Sequence, residues 1–229
     1  MNEIQKRTLE NAIKNYSFPA AYYDFSKNKE LIGLNMNDVE LRISSQLRSA
    51  NIQEIKFGLA NILFWGYAQQ SGIRDIRIKK FNDQINNEKL NQFKYLVENK
   101  RVPTIIEIHN LALPQLSGGM SFATKVLTFL DLDKHCILDN QILKMKQSTS
   151  IQSKALNEIK KSDKETLIRI SAHNANCYEK WCRECQEIST KYFGGEFRPV
   201  DVERGFFNLI QQKKILEATE IYQVETPFK

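Results

Sequence analysis

From Leu113 to Ile142 the chain reads LPQLSGGMSFATKVLTFLDLDKHCILDNQI, the stretch whose residue types and spacing can do chemistry. A helix ends, the chain turns through Gly118-Gly119, and a second helix begins near Ser121. Adjacent glycines permit positive φ and let another backbone approach closely. The free amides that open the second helix make an anion site, aided by the helix dipole, and a phosphate suits it. An ordinary helix–turn–helix corner would use the same two glycines. What sets this corner apart comes after it. One apolar helix (Ala123, Val126, Leu127, Leu130) leads to the pair Ile137-Leu138, which delivers Asp139 to the head of a further helix. Asp139 is the candidate chemical centre. It is also a good helix N-cap, and a cap would fix the carboxylate in place, so the two roles are compatible. Lys125 follows Ser121 by four residues, on the same helix face. It is either an amine reaching the same cleft or a solvated surface lysine.

The hairpin, the apolar helix and the aspartate together resemble the helix-hairpin-helix DNA glycosylase superfamily. Members carry a Leu-Pro-Gly-Val-Gly-like hairpin, an apolar helix, and an Asp in an apolar-Asp-x-x-apolar context. Leu116-Ser117-Gly118-Gly119 stands in the hairpin, and Leu138-Asp139-Asn140-Gln141-Ile142 supplies the Asp context. The length fits the oxoguanine-glycosylase branch in particular. Two departures matter: Gly-x-Gly has become Gly-Gly, and Ser121 stands where bifunctional members carry a lysine nucleophile. The second leaves Lys125 as the candidate amine. The resemblance implies an all-α, two-lobed helical bundle. It also implies an enzyme that excises a damaged or modified base, such as an oxidised purine, from double-stranded DNA in base excision repair. Asp139 would stabilise an oxocarbenium-like transition state, orient water, or deprotonate Lys125. Abasic-site lyase activity would follow if Lys125 attacks the sugar. No cofactor is expected. A non-catalytic helix-hairpin-helix DNA-binding protein and a helical protein-interaction module are the competing readings.

Such an enzyme must extract a nucleotide and hold it between aromatic or apolar groups. Phe64, Trp65, Tyr67 and Phe122 are candidates, with Trp65 and Phe122 chosen for the base pocket against the plainer role of core aromatics. Arg74, Arg77, Lys79 and Lys80 form a basic run. Arg74, Arg77 and Lys79 join Gly118, Gly119 and Ser121 as candidate DNA contacts, the alternative being a solvated helix face. His173, Cys177, Cys182 and Cys185 lie within 13 residues, and the last two have the spacing of metal ligands. Tyr178, Trp181, Cys185, Ile188 and Tyr192, however, fall on one helical stripe. Ligands on one unbroken helix cannot close around a metal, so the cysteines are expected to serve packing and no metal is expected.

Helices must position these groups. Spacing predicts them over residues 2–14, 38–49, 52–68, within 75–98, from Pro103 through Leu111, and over 120–131, 152–161, 164–192 and 199–214. Residues 15–36 read as irregular, 147–154 as a polar linker, and 219–229 as strand or loop. Nine glycines and five prolines among 229 residues are too few for a turn-rich strand fold. A hydrophobic share of 41% supports a real core. One glycosylase-like domain spanning 1–229 is expected, with lobes at about 30–145 and at 1–29 plus 146–229. Thirty-three basic against 27 acidic residues give a net +6, which suits a partner bearing phosphates. No apolar run is long enough for a membrane span, and the N-terminus lacks the apolar core of a signal peptide. A cytoplasmic monomer is expected, nucleoid-associated if bacterial.

Overall fold

The computed structural model describes residues 1–99, 102–147, 154–161 and 166–224. Among them the class is all-α, with one small antiparallel hairpin as the exception. In chain order the elements are α1 (Glu3–Lys14), β1 (Tyr22–Asp24), β2 (Lys29–Leu31), α2 (Met36–Leu47), α3 (Ile52–Gly66), α4 (Ser71–Gln84), α5 (Asn87–Asn99), α6 (Ile105–Asn110), α7 (Met120–Leu130), α8 (Ala155–Glu158), α9 (Ala172–Phe193), α10 (Pro199–Gln211) and α11 (Ile215–Gln223). A single 3-10 turn, Ile142–Met145, stands between α7 and α8. No helix among the described residues is long and apolar enough to cross a membrane.

Local chemistry explains most helix starts. Asn2 with Gln5, Asn35 with Asp38 and Thr104 with Glu107 form reciprocal capping boxes at α1, α2 and α6. Each box satisfies two backbone amides that the helix cannot. The cap of α2 is thus Asn35, with Asp38 as its partner three residues in. Several expectations change, among them the helix expected from 164, which begins at Ala172, and the one expected over 152–161, which among the described residues is only Ala155–Glu158. The aromatic stretch 15–36 contains the β1–β2 hairpin, paired Tyr22 to Leu31 through Asp24 to Lys29. The helix expected after Asp139 is only the 3-10 turn. The tail expected as strand or loop begins with α11. Most of the proposed linker 147–154, and the last five residues, lie outside the described residues.

The chain forms two compact units, Pro19–Asp131 and Met1–Phe18 with Leu132–Lys229. The boundaries fall near residues 18 and 131, rather than near 30 and 145. In the continuous unit, α3 is the central helix, and Ile55, Leu59, Ile62 and Leu63 are wholly buried. A Cβ on Gly58 would sit 2.9 Å from Gln46 Cβ and 3.1 Å from Leu47 N, so glycine lets α2 and α3 meet at backbone distance. In the discontinuous unit, α1 packs on α10, and Asn208 Nδ2 donates to Ala12 O and Asn15 O, both at 2.9 Å. Trp181, Phe206 and Tyr222 interlock as its aromatic core. Trp181 Nε1 donates to Ile137 O at 3.1 Å, anchoring the segment that leads to Asp139.

Candidate functional site

The corner between α6 and α7 is a tight loop, residues 111–119, built around Ser117. The buried Ser117 Oγ accepts from Leu113 N at 3.0 Å and donates to Ile108 O at 2.9 Å. Ser117 O lies 2.8 Å from His109 Nδ1, which places the imidazole proton on that nitrogen. The left-handed conformations that turn the chain belong to Ala112 (φ 47°) and Gln115 (φ 63°). Gly119 is extended (φ −166°), so the expectation that the glycines supply positive φ is corrected. Their role is absence of bulk. An added Cβ on Gly118 would meet nothing within 4 Å among the described residues, and Gly119 caps α7 with no side-chain acceptor. The first amides of α7 are therefore not covered by a capping side chain, which is the geometry an anion needs.

Lys125 is 6% exposed, not a solvated surface lysine. Its Nζ reaches back one turn to Ser121, donating to Oγ at 3.1 Å and to the carbonyl at 3.3 Å. The ammonium also lies 5.0 Å from the centre of the Phe122 ring. It thus adds positive charge near the helix end whose dipole is already positive. Room for this arrangement comes from Gly66, where a Cβ would sit 2.7 Å from Phe122 Cε1 and 3.5 Å from Lys125 Cδ. Half-buried Phe122 packs on half-buried Tyr67, ring centres 4.9 Å apart and tilted by 31°. Burial raises the Tyr67 phenol, with the Arg77 charge opposing.

The three basic candidates of α4 separate. Arg77 Nη1 donates to Gln115 Oε1 at 2.8 Å, bringing its guanidinium to the α6–α7 loop. Arg74 lies over the Phe64 ring at 4.1 Å and pairs with Asp75. Lys79 forms an exposed pair with Asp83 one turn on. Trp65, expected in a base pocket, is 2% exposed and packs edge-on against Phe129 at 5.2 Å. It is a core residue, because helical spacing turns it toward Phe129 in the body of α7, whereas Phe64 faces Tyr23 and Tyr67 faces Phe122 in the first turn of α7.

Asp139 belongs to the other unit. Ile137 and Leu138 are buried, and Asp139 itself is half-buried. Its Oδ1 accepts from Gln141 N at 2.8 Å and Ile142 N at 3.1 Å. The cap role is therefore realised on a 3-10 turn, and it holds the carboxylate in one orientation. Neighbouring Asn140 donates through Nδ2 to Thr166 O at 2.8 Å.

Known protein families, curated proteins and solved structures yield no match to this chain. Its chemistry must be read from its own residues.

The cysteines are packing groups. Cys177, Cys182 and Cys185 lie on the unbroken α9, and Cys136 N donates to Cys182 Sγ at 3.4 Å. Burial pushes all four thiols up, Cys185 to about 11, so they stay protonated at neutral pH. Among the described residues no three His, Cys, Asp or Glu side chains are placed to hold a metal.

The structure thus gathers Gly118, Gly119, Ser121, Phe122, Lys125 and Arg77 around one loop, and leaves Arg74, Lys79 and Trp65 outside that group. Sequence reasoning missed His109 and Gln115, and read Ser117 only as part of the hairpin. The only signal for them was Ser117 directly before the glycines, since their bonds cross the turn and leave no periodicity.

Proposed function

We propose that the chain is a DNA glycosylase of the helix-hairpin-helix type, acting on double-stranded DNA to release a damaged or modified base. The observation that carries the reading is the bare start of α7 behind Gly118-Gly119, with the Lys125 ammonium turned toward it. A DNA phosphate supplies the anion that such a helix end favours. Arg77, held to Gln115, adds a second cation to the same loop. In the other unit, two backbone amides fix the Asp139 carboxylate while leaving it half-exposed. In the proposed reaction the bond from C1′ to the base nitrogen breaks, and the bonding pair leaves with the base, which takes up a proton. Asp139 stabilises the cationic sugar electrostatically. Water adds at C1′ and loses a proton, giving an intact abasic site. If the neutral amine of Lys125 adds at C1′ instead and loses a proton, the C1′–O4′ bond opens to give a Schiff base, and loss of a C2′ proton then expels the 3′ phosphate and cleaves the strand.

The second reading is a helix-hairpin-helix protein that binds DNA without catalysis. Its support is the engagement of Lys125 by Ser121, which occupies the amine the lyase route requires. The experiment is base release and nicking on duplexes bearing oxoguanine, uracil, alkylated purines or modified cytosines. Base release lost in Asp139→Asn is the expected result. Tight duplex binding with no base release on any substrate rejects the enzyme and leaves the binding protein. Borohydride trapping then reads Lys125 directly: an adduct lost in Lys125→Met supports the lyase route.

A further inference from the structure

We propose that a basic cavity at the N-terminal end of α9, within the discontinuous unit, binds a phosphate group. The cavity measures about 600 Å³ and is lined by Lys146, Lys160, Lys161 and Arg169, with Asn174 and Glu158. Glu158 pairs with Lys180 at 2.8 Å, so its charge is answered by a lysine of α9. The three lining lysines then set the sign of the cavity. Like charges gathered on a concave surface raise the local potential and draw in an anion.

The rim is built rather than incidental. Asn174, in the first turn of α9, is 1% exposed, and its amide clamps two backbone segments. Oδ1 accepts from Lys160 N, and Nδ2 donates to Lys160 O and Arg169 O, each at 2.9 Å. A buried amide with its partners satisfied fixes the points from which the Lys160 and Arg169 side chains start. Lys146 Nζ donates to Ile159 O at 2.6 Å, which brings a third cationic stem to the same wall. Behind them, 22-residue α9 directs its positive dipole end toward the cavity, adding a fixed partial charge to the mobile ones. Carboxylates would also be attracted, but a wall carrying three lysines and an arginine suits an anion with several acceptor oxygens. The volume admits a phosphate together with an attached nucleoside.

Two sources share this chemistry: the phosphodiester of a DNA strand and a free phosphorylated small molecule. The Asn140–Thr166 bond ties the rim segment before Arg169 to the turn that presents Asp139, which makes a DNA strand a natural source.

The test uses the full chain and the double variant Lys160→Glu/Lys161→Glu. Lys27→Glu/Lys29→Glu on the β1–β2 hairpin serves as the control of equal charge change. Pyrophosphate and a short unmodified duplex are titrated separately by calorimetry, and thermal melts confirm that each variant folds. Saturable pyrophosphate binding, weakened about tenfold or more by the cavity pair but not by the control, supports a free phosphorylated ligand. Duplex binding weakened about tenfold beyond the control, with no pyrophosphate binding, supports a strand phosphate. If neither titration depends on the cavity pair more than on the control, the proposal falls. Neither arm requires base release, so the glycosylase reading and the cavity fail separately.

Discussion

The loop behind α7 and the cavity at α9 both favour anions, but they achieve it in opposite ways. At α7 the helix cap is a glycine, so no capping side chain covers the first backbone amides. At α9 the cap is Ser171, whose Oγ accepts from Asn174 N at 3.2 Å, and the positive charge comes from lysines on flexible stems. The first site presents a fixed fork of N–H groups. The second presents charge with little fixed geometry beyond the Asn174 clamp. A rigid backbone site selects one placement of a phosphate, whereas a lysine cavity supplies attraction that salt weakens. In the proposed reading the α7 loop would set the register of a bound strand, and the α9 cavity would hold it electrostatically.

The largest expected effect separates chemistry from holding. Asp139→Asn is nearly isosteric and keeps an oxygen able to accept from Gln141 N and Ile142 N. Base release in single turnovers should fall about 10²–10³-fold with duplex affinity nearly unchanged. An unaltered rate would remove Asp139 from the chemistry.

Next comes rigidity of the α7 loop. Ser117→Ala leaves the buried Leu113 amide and Ile108 carbonyl without their shared partner. Denaturant unfolding should show a loss of about 1–3 kcal/mol. A loss well below that range would mean the loop is not held by this hydroxyl, and the contrast with the cavity would weaken.

Helix α8, whose Glu158 lines the cavity, gives a pH-dependent effect. Glu184 accepts from Ala155 N at 3.0 Å and from Tyr222 Oη at 2.5 Å, and so holds α8 in place. Burial raises its carboxyl above the ordinary value, and the bonds from Tyr222 and Ala155 oppose that shift without reversing it. A raised folded value means the folded state binds the proton more tightly than the unfolded chain does. Its stabilising contribution is thus complete below the ordinary glutamate value and is lost as pH rises through the raised one. Thermal midpoints of the wild type, relative to Glu184→Gln, should fall as pH goes from about 4.5 to 7. A difference that stays flat or grows contradicts the sign.

Salt sharpens the comparison further. Arg77→Ala should reduce the slope of log affinity against log salt for duplex DNA by about one. An unchanged slope would take Arg77 out of the phosphate contacts. Smallest of all, Lys79→Ala should cost about 0.3–0.5 kcal/mol through loss of its exposed pair with Asp83, and leave DNA affinity near that of the wild type. A large drop in affinity there would return Lys79 to the interface.

Much of the α7 region was legible because its parts are close in sequence. Ala123, Val126, Leu127 and Leu130 carry a buried stripe at helical spacing, and the glycines mark the helix start. Asp139 was legible as a cap for the same reason, since its acceptors are two and three residues away. The α9 cavity was not. Lys146, Lys160, Lys161 and Arg169 look like ordinary solvated lysines and an arginine until the Asn174 side chain bonds 14 residues back to Lys160. Trp65 and Phe122 differ only in which way they point, and residue type says nothing about that.

By itself the sequence determined what is local: the helical class, the glycine start of α7 and the single continuous helix carrying three cysteines. Hydrogen bonds and side-chain periodicity within a few residues fix those features wherever the rest of the chain lies. Only the tertiary structure decided that Lys125 is buried, that Trp65 is core, that Arg77 meets Gln115, and that α1 packs on α10 from the far end of the chain. Those outcomes come from burial of apolar surface between distant segments, a non-directional force that leaves no mark in local spacing.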